Sequence, residues 1–340
     1  MKKVKGYLVK LYNCFMRTRW IHANNRFCRR FRAMFIHNIC REMNVSFGKK
    51  NPDKLFYVIR DPKGEHGLFA LYNFVMFHLK IAEERNAIPV VDVQYYPLEG
   101  MIEDDKIGHE NAWEYFFEQT SPYSLKEVYE SNNVIMAAGI DAASLSEVYD
   151  EASLEKSREI SQKYIRIKKE ILDICVAKYK EFDMEHRKIL GVICRGTDFV
   201  ATKPQGHSVV PTSQKTVEAI TEKEKEWGSF DAIFLATEDA NIFRDMQNYY
   251  GEKLLFYQKI RIDNTNGDFL CKKIEEISTQ NKGESFKKKL MTEYLISIWL
   301  LSKCNSLVAP VIGSTLGVLC MGEGFEHQYF IQLGNYGEEK

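Results

Sequence analysis

Three apolar runs in the second half of the chain each stop abruptly at small polar or charged residues. That repeated stop constrains the fold more than any other feature. Ile189-Leu190-Gly191-Val192-Ile193-Cys194 ends at Arg195-Gly196-Thr197-Asp198, and Asp231-Ala232-Ile233-Phe234-Leu235-Ala236 ends at Thr237-Glu238-Asp239. Ser306-Leu307-Val308-Ala309-Pro310-Val311 ends at Gly313-Ser314-Thr315. Short continuous apolar runs read as buried strands, and helical patterns near 213–227, 240–250 and 287–304 lie between or beside them. Strands alternating with helices give an α/β fold with a parallel sheet. In such sheets ligands sit beyond the carboxyl ends of the strands, so three polar strand ends on one edge mark a site.

The first half carries a βαβ pattern. Leu55–Ile59 reads as a strand, Arg60–Gly67 as a charged, glycine-bearing turn, and Leu68, Leu71, Phe74, Val75, His78, Leu79 and Ala82 as one face of a helix. Ile88–Val93 is then a short buried strand ending in Asp92, Gln94, Tyr95 and Tyr96. Val134–Met136 is a further strand candidate, and Ser153 to Asp183 reads as one long bridging helix. The aromatic stretch Asn111–Phe117 suits either an acceptor cleft, where sugars stack on rings, or ordinary packing. Arg261 to Gly283 is polar and glycine-punctuated, the pattern of a mobile loop.

The order of motifs is also that of a known family. Arg195-x-Thr197-Asp198, the Gly206-His207 turn, Ala236-Thr237-Glu238-Asp239 and Leu301-Ser302-Lys303-Cys304-Asn305-Ser306-Leu307-Val308 together resemble the α1,6-fucosyltransferases, nodulation fucosyltransferases included, across residues 186–320. A looser resemblance to bacterial fucosyltransferase-like proteins of polysaccharide gene clusters extends through Gly67–Leu71 and Ile88–Asp92. The resemblance implies a GT-B-like α/β architecture of two Rossmann-like domains facing a cleft. It also implies an inverting, metal-independent glycosyltransferase that moves fucose from GDP-fucose to a glycan acceptor, such as a surface polysaccharide or a lipid-linked precursor. The chain departs from the family pattern at named places. Ile193 and Gly196 stand where the family has a histidine and a second arginine, Lys203 where eukaryotic members have a glutamate, and Ser297 where an aspartate contacts guanine. Glu293 lies one helical turn before Ser297.

With a nucleotide-sugar donor, the expelled diphosphate must be met by a metal ion or by fixed cations. Arg195 offers a planar fork suited to phosphate, with Lys203 as a second charge. Gly313, Ser314 and Thr315 open a helix whose positive end favours an anion. The nearest Asp-x-Asp-like candidate, Glu103-Asp104-Asp105, follows Pro97 and Gly100 in a loop, so no metal and no cofactor is assigned. Arg195 and Asp198 are the expected catalytic pair, with Asp198 taking the acceptor proton and His207, Glu65 and Asp92 as alternatives. The bland alternative is an ion pair in which Asp198 only orients Arg195. Lys203, His207, Thr237, Asp239 and Glu293 complete the expected donor contacts. A transferase of the same fold with another nucleotide sugar, or an inactive glycan- or nucleotide-binding protein, are the competing readings. A dinucleotide oxidoreductase is disfavoured because no Gly-x-Gly-x-x-Gly follows a strand.

The 340 residues sum to zero formal charge, but unevenly. Residues 1–45 hold eleven Lys or Arg and the single acid Glu42, a net of +10, so 46–340 carry −10. This head interleaves its cations with Leu8, Leu11, Tyr12, Phe15, Met16 and Trp20 at helical spacing. It fits an amphipathic helix on an anionic membrane surface, or one packed on the acidic body. Nucleic-acid binding is disfavoured, since no recognised fold for it is present. Eight cysteines without regular spacing read as reduced, buried small hydrophobes. The expected organisation is 1–45 as a basic helical extension, 46–185 as an N-terminal α/β domain and 186–340 as a C-terminal Rossmann-like domain. The expected location is cytoplasmic, peripheral on the inner face of the plasma membrane.

Overall fold

Hydrogen bonding divides the strands into two sheets that never pair with one another. The structure is a computed structural model describing residues 42–61, 67–94, 101–103, 106–107, 109–139, 145–263, 270–280 and 286–337. The basic head up to residue 41, and Glu65 with it, lie outside the described residues.

The first sheet is built from β1 (Met43–Val45), β2 (Lys50–Ile59), β3 (Ile88–Val91) and β4 (Ser131–Met136), in the order β1-β4-β2-β3. β2 runs parallel to both neighbours, whereas the three-residue β1 pairs antiparallel with β4. The helix expected after Gly67 is present as α1 (Leu68–Glu84), and the short α2 (Leu125–Val128) precedes β4. Here the last residues counted with the basic head, 43–45, form a sheet edge.

One long helix was expected over 153–183. Two are observed, α3 (Glu151–Tyr164) and α4 (Lys169–Glu181). The break has a local cause. Ile165-Arg166-Ile167-Lys168 is extended and binds the chain at 116–118, with Glu118 N–H donating to Arg166 O at 2.7 Å and Lys168 N–H to Phe116 O at 3.0 Å. β-branched residues give up helix for strand at small cost, and these backbone bonds decide the matter.

The second sheet is entirely parallel: β5 (Ile189–Ile193), β6 (Ala232–Ala236), β7 (Leu254–Leu255), β8 (Ser306–Pro310) and β9 (His327–Ile331), ordered β7-β6-β5-β8-β9. Every residue of β5, β6 and β8 is buried, as continuous apolar runs require. The connecting helices are α5 (Thr197–Thr202), α6 (Ser213–Trp227), α7 (Ala240–Tyr250), α8 (Leu270–Gln280), α9 (Phe286–Leu301) and α10 (Gly313–Met321). The polar stretch 261–283 was expected as a loop; it contains α8, whose Ile274 is buried against Phe286 and Leu290.

α10 is buried from Ser314 to Cys320. A helix apolar all round must be covered on all sides, and α1 and α3 of the first sheet's layer supply that cover. One buried cluster therefore runs from Tyr57 and Ile59 through α1 and α10 to Ile189, Phe234 and Leu307. The opening turn of α10 meets the opening of α1: Gly313 lies against Phe69 and Ala70, and Asn73 donates to Gly313 O at 2.9 Å.

Candidate active site

Arg195 is the second residue beyond β5, on the carboxyl edge of the central strand. Its guanidinium pairs with Asp198 at 3.1 Å and lies over the Phe199 ring, 4.4 Å from the centroid. The side chain is 22% exposed, so the fork is walled in but not sealed. Burial works against its charge, and the carboxylates of Glu238 and Asp198 more than offset that penalty. Its Nε has no hydrogen-bond partner among the described residues.

The turn that aims Arg195 is held from β6. Gly196 N–H donates to Glu238 at 2.9 Å and Thr197 N–H to Asp239 at 2.8 Å, and the Thr197 hydroxyl donates to Glu238 at 3.2 Å. Thr197 sits at φ 43°, a left-handed conformation that a β-branched residue avoids. Such strain, about 1–3 kcal/mol, persists only where neighbours over-determine it, and these three bonds do so.

Asp239 is itself engaged in that geometry. One oxygen takes Thr197 N–H, while the other takes Asn241 and Ile242 N–H at the start of α7. The carboxylate is a clamp and a helix cap, and the residue is 7% exposed. Thr237 is 2% exposed and accepts Asp239 N–H at 3.2 Å, so it too serves the turn. Asp198 is likewise engaged, accepting from Arg195, Phe199 N–H and Leu270 N–H. It holds Arg195 in place, in line with the bland alternative.

Of the remaining expected residues, Gly313, Ser314 and Thr315 do open a helix, and it carries no side-chain cap. Thr315 N–H donates to Ile312 O at 3.0 Å, while the amides of Gly313 and Ser314, the first two of the helix, precede any intrahelical acceptor. The Thr315 hydroxyl donates to Pro310 O at 2.6 Å, fixing the entry. Tyr294 of α9 connects this turn to Arg195. Burial pushes its phenol pKa up, while Arg195 and Ser314 pull it down, and its ring meets Phe69 of α1 edge-on at 5.2 Å. Arg195 and the 313–315 turn thus flank one tyrosine.

Lys203 is exposed and closes α5 at φ 45°. His207 is exposed with its ring edge-on to Phe199, 5.4 Å away, so Arg195 and His207 touch the same aromatic ring. The 206–209 loop is fixed by the C-terminal segment: Gly206 N–H donates to Tyr336 O and Tyr336 N–H to His207 O, both at 2.9 Å. Glu293 accepts Ile260 N–H at 3.2 Å. Ser297 is 1% exposed and returns its hydroxyl to Glu293 O, so it reads no ligand. Asp92 is buried and takes the Tyr129 hydroxyl and Gln94 N–H. Trp113, Phe116 and Phe117 are completely buried, which makes the aromatic stretch packing and not a cleft wall. Glu103 accepts from Ser278 and pairs with Lys287. Among the described residues no three His, Cys, Asp or Glu side chains converge to hold a metal ion. Nor is any helix among them long and apolar enough to cross a membrane.

Two site residues escape the sequence reading. Glu238, in the strand-end triplet already singled out, is the acceptor that shapes the turn. Lys259, four residues beyond β7, is 8% exposed with its ammonium 5.2 Å from the Tyr294 ring centroid. Burial pushes its pKa down to about 8, opposed by Glu238 and Glu293 and helped by Arg261. β7 is only two residues long, too short to signal that a fourth strand ends on this edge.

No protein-family model matches the chain, and no curated protein sequence matches it. Solved structures do. A crystal structure of NodZ α-1,6-fucosyltransferase soaked with GDP-fucose superposes with TM-score 0.50 at 12% identity, over 84% of this chain and 97% of that one. Fucosyltransferase NodZ from Bradyrhizobium gives 0.49 at 12% identity over 84% and 97%, and Arabidopsis thaliana FUT1 in complex with GDP gives 0.47 at 10% over 90% and 78%. At this identity the likeness is one of fold, and it rests on the first superposition. The chain has the α/β, GT-B-like architecture of two Rossmann-like units.

Proposed function

We propose that the protein is an inverting, metal-independent glycosyltransferase that moves fucose from GDP-fucose to a glycan acceptor. The observation that carries this reading is the convergence of Arg195 with the uncapped first turn of α10 around Tyr294. A guanidinium and a helix N-terminus facing one space make a fixed anion site. An anion site at a strand edge suits a leaving diphosphate, whose charge grows as the glycosidic bond breaks. The acceptor oxygen attacks the anomeric carbon as the bond to the diphosphate oxygen breaks; GDP departs and the acceptor proton passes to a base. Because Asp198 is tied to Arg195 and two amides, His207 is the group assigned to take that proton. It is exposed and set on the ring that carries Arg195. The acceptor is a surface polysaccharide or lipid-linked precursor.

Calorimetry against GDP, UDP, ADP and CDP tests the donor: GDP is expected to bind tightest, and a preference for UDP overturns the assignment. Turnover of GDP-fucose with an oligosaccharide acceptor should persist in EDTA. It should fall by about 10²- to 10³-fold in Arg195→Ala, the magnitude of losing one fixed oxyanion contact. Activity that EDTA abolishes and Mg²⁺ restores contradicts the metal-free site.

A further inference from the structure

Lys259 is a buried cation with no carboxylate in direct contact with it among the described residues. Among the described residues its ammonium makes no hydrogen bond and no ion pair, and its neighbour is the face of Tyr294. A lone buried charge is expensive to keep unless something pairs with it. The residue keeps 8% exposure.

Its position on the sheet edge is informative. In strand order the carboxyl ends present Lys259 beyond β7, Glu238 beyond β6, Arg195 beyond β5 and Gly313 beyond β8. Lys259 and Arg195 both feel Glu238, and both act on Tyr294 from different strands. Arg195 already forms an ion pair with Asp198, which leaves a diphosphate short of positive charge. The next residue cannot supply it. A Cβ on Gly196 would lie 2.3 Å from Asp239 Oδ2, and that carboxylate is pinned by three amides. A second cation has to come from another strand.

We infer that Lys259 is the second cation of the donor site, binding the diphosphate of the nucleotide sugar beside Tyr294 together with Arg195. The inference rests on the reading of the site as a nucleoside-diphosphate site. Glu238 and Glu293 oppose the burial penalty on the lysine's charge, and Arg261, stacked 3.7 Å from the Phe243 centroid, fixes the segment that carries it.

The test compares GDP and guanosine binding to the full chain and to Lys259→Met by calorimetry. GDP should bind the variant roughly ten- to a hundredfold more weakly, the loss of one charge-assisted contact, with guanosine unchanged within about twofold. Unchanged GDP affinity, or an equal loss for guanosine, overturns the inference. A second measurement needs no variant. Mild reductive methylation followed by mass spectrometry should show Lys259 protected by GDP and not by guanosine; equal labelling in both overturns it. If the wild-type chain binds no nucleoside diphosphate, the functional reading falls too. If it binds GDP and neither arm singles out Lys259, only this assignment falls.

Discussion

At the scale of single residues, what matters is which atom a charged group is aimed at, and that is what sequence conveys least. The positions of Arg195 and the 313–315 turn at strand ends are legible because each follows an apolar run whose direction is fixed by the fold. Asp239 looked equally like a ligand, since a polar residue at a strand end has the same letter whether it faces the cleft or a backbone amide. The structure turns it to the amides. His78 gives a sharper case. It was read as part of the apolar face of α1, and it is 1% exposed, paired through Nδ1 with the Tyr57 hydroxyl at 2.9 Å. Burial, with Arg85 nearby, lowers its pKa to about 4, against about 6.5 in an unfolded chain. Between those values the unfolded state takes up a proton that the folded state refuses. Stability therefore falls as pH drops from about 6.5 towards 4, by about 3 kcal/mol in all for this group. Urea unfolding of the wild type and His78→Phe across that window should show a shallower pH slope in the variant; superimposable slopes would mean that the imidazole titrates freely.

At the scale of elements, most boundaries followed from periodicity, and the exceptions follow from contacts that no local pattern encodes. α6 and α7 occupy the expected spans. The expected bridging helix breaks at 165–168 because a distant segment offers its backbone at 116–118. Sequence also hides how tightly α10 is seated. A Cβ on Gly317 would lie 2.4 Å from Phe69 Cδ1, so the glycine is required for α1 and α10 to touch, and with them Tyr294. Gly317→Ala should then push the two helices apart. The expected cost is about 1–3 kcal/mol, as for other overpacked core sites, together with weaker GDP binding because the opening turn of α10 shifts. Adding Phe69→Leu should return much of the stability, a coupling that a double-mutant cycle reads directly. Strictly additive melting temperatures would refute the contact.

For the molecule as a whole, the two sheets share one buried cluster. The site is therefore framed by elements from both: α1 from one unit, β5, α9 and α10 from the other. This division was visible in the alternation of strands and helices, while the merging of the cores through α10 was not, because burial on all sides reads only as apolarity. The charge distribution poses the opposite situation, since it is written plainly in the sequence: +10 in residues 1–45 against −10 in the rest. A basic amphipathic head gains about 1 kcal/mol per Lys or Arg near an anionic lipid surface, and that gain is screened by salt. Packing on the acidic body would draw on the same charges and leave them unavailable to lipid. The two outcomes separate in a sedimentation assay. We expect the chain to sediment with phosphatidylserine vesicles in low salt, to stay in solution with phosphatidylcholine, and to be released by about 0.5 M salt, where the Debye length is only a few ångströms. Deleting residues 1–41 should abolish the binding and leave GDP affinity intact; vesicle binding that survives the deletion would move the membrane contact onto the rest of the chain.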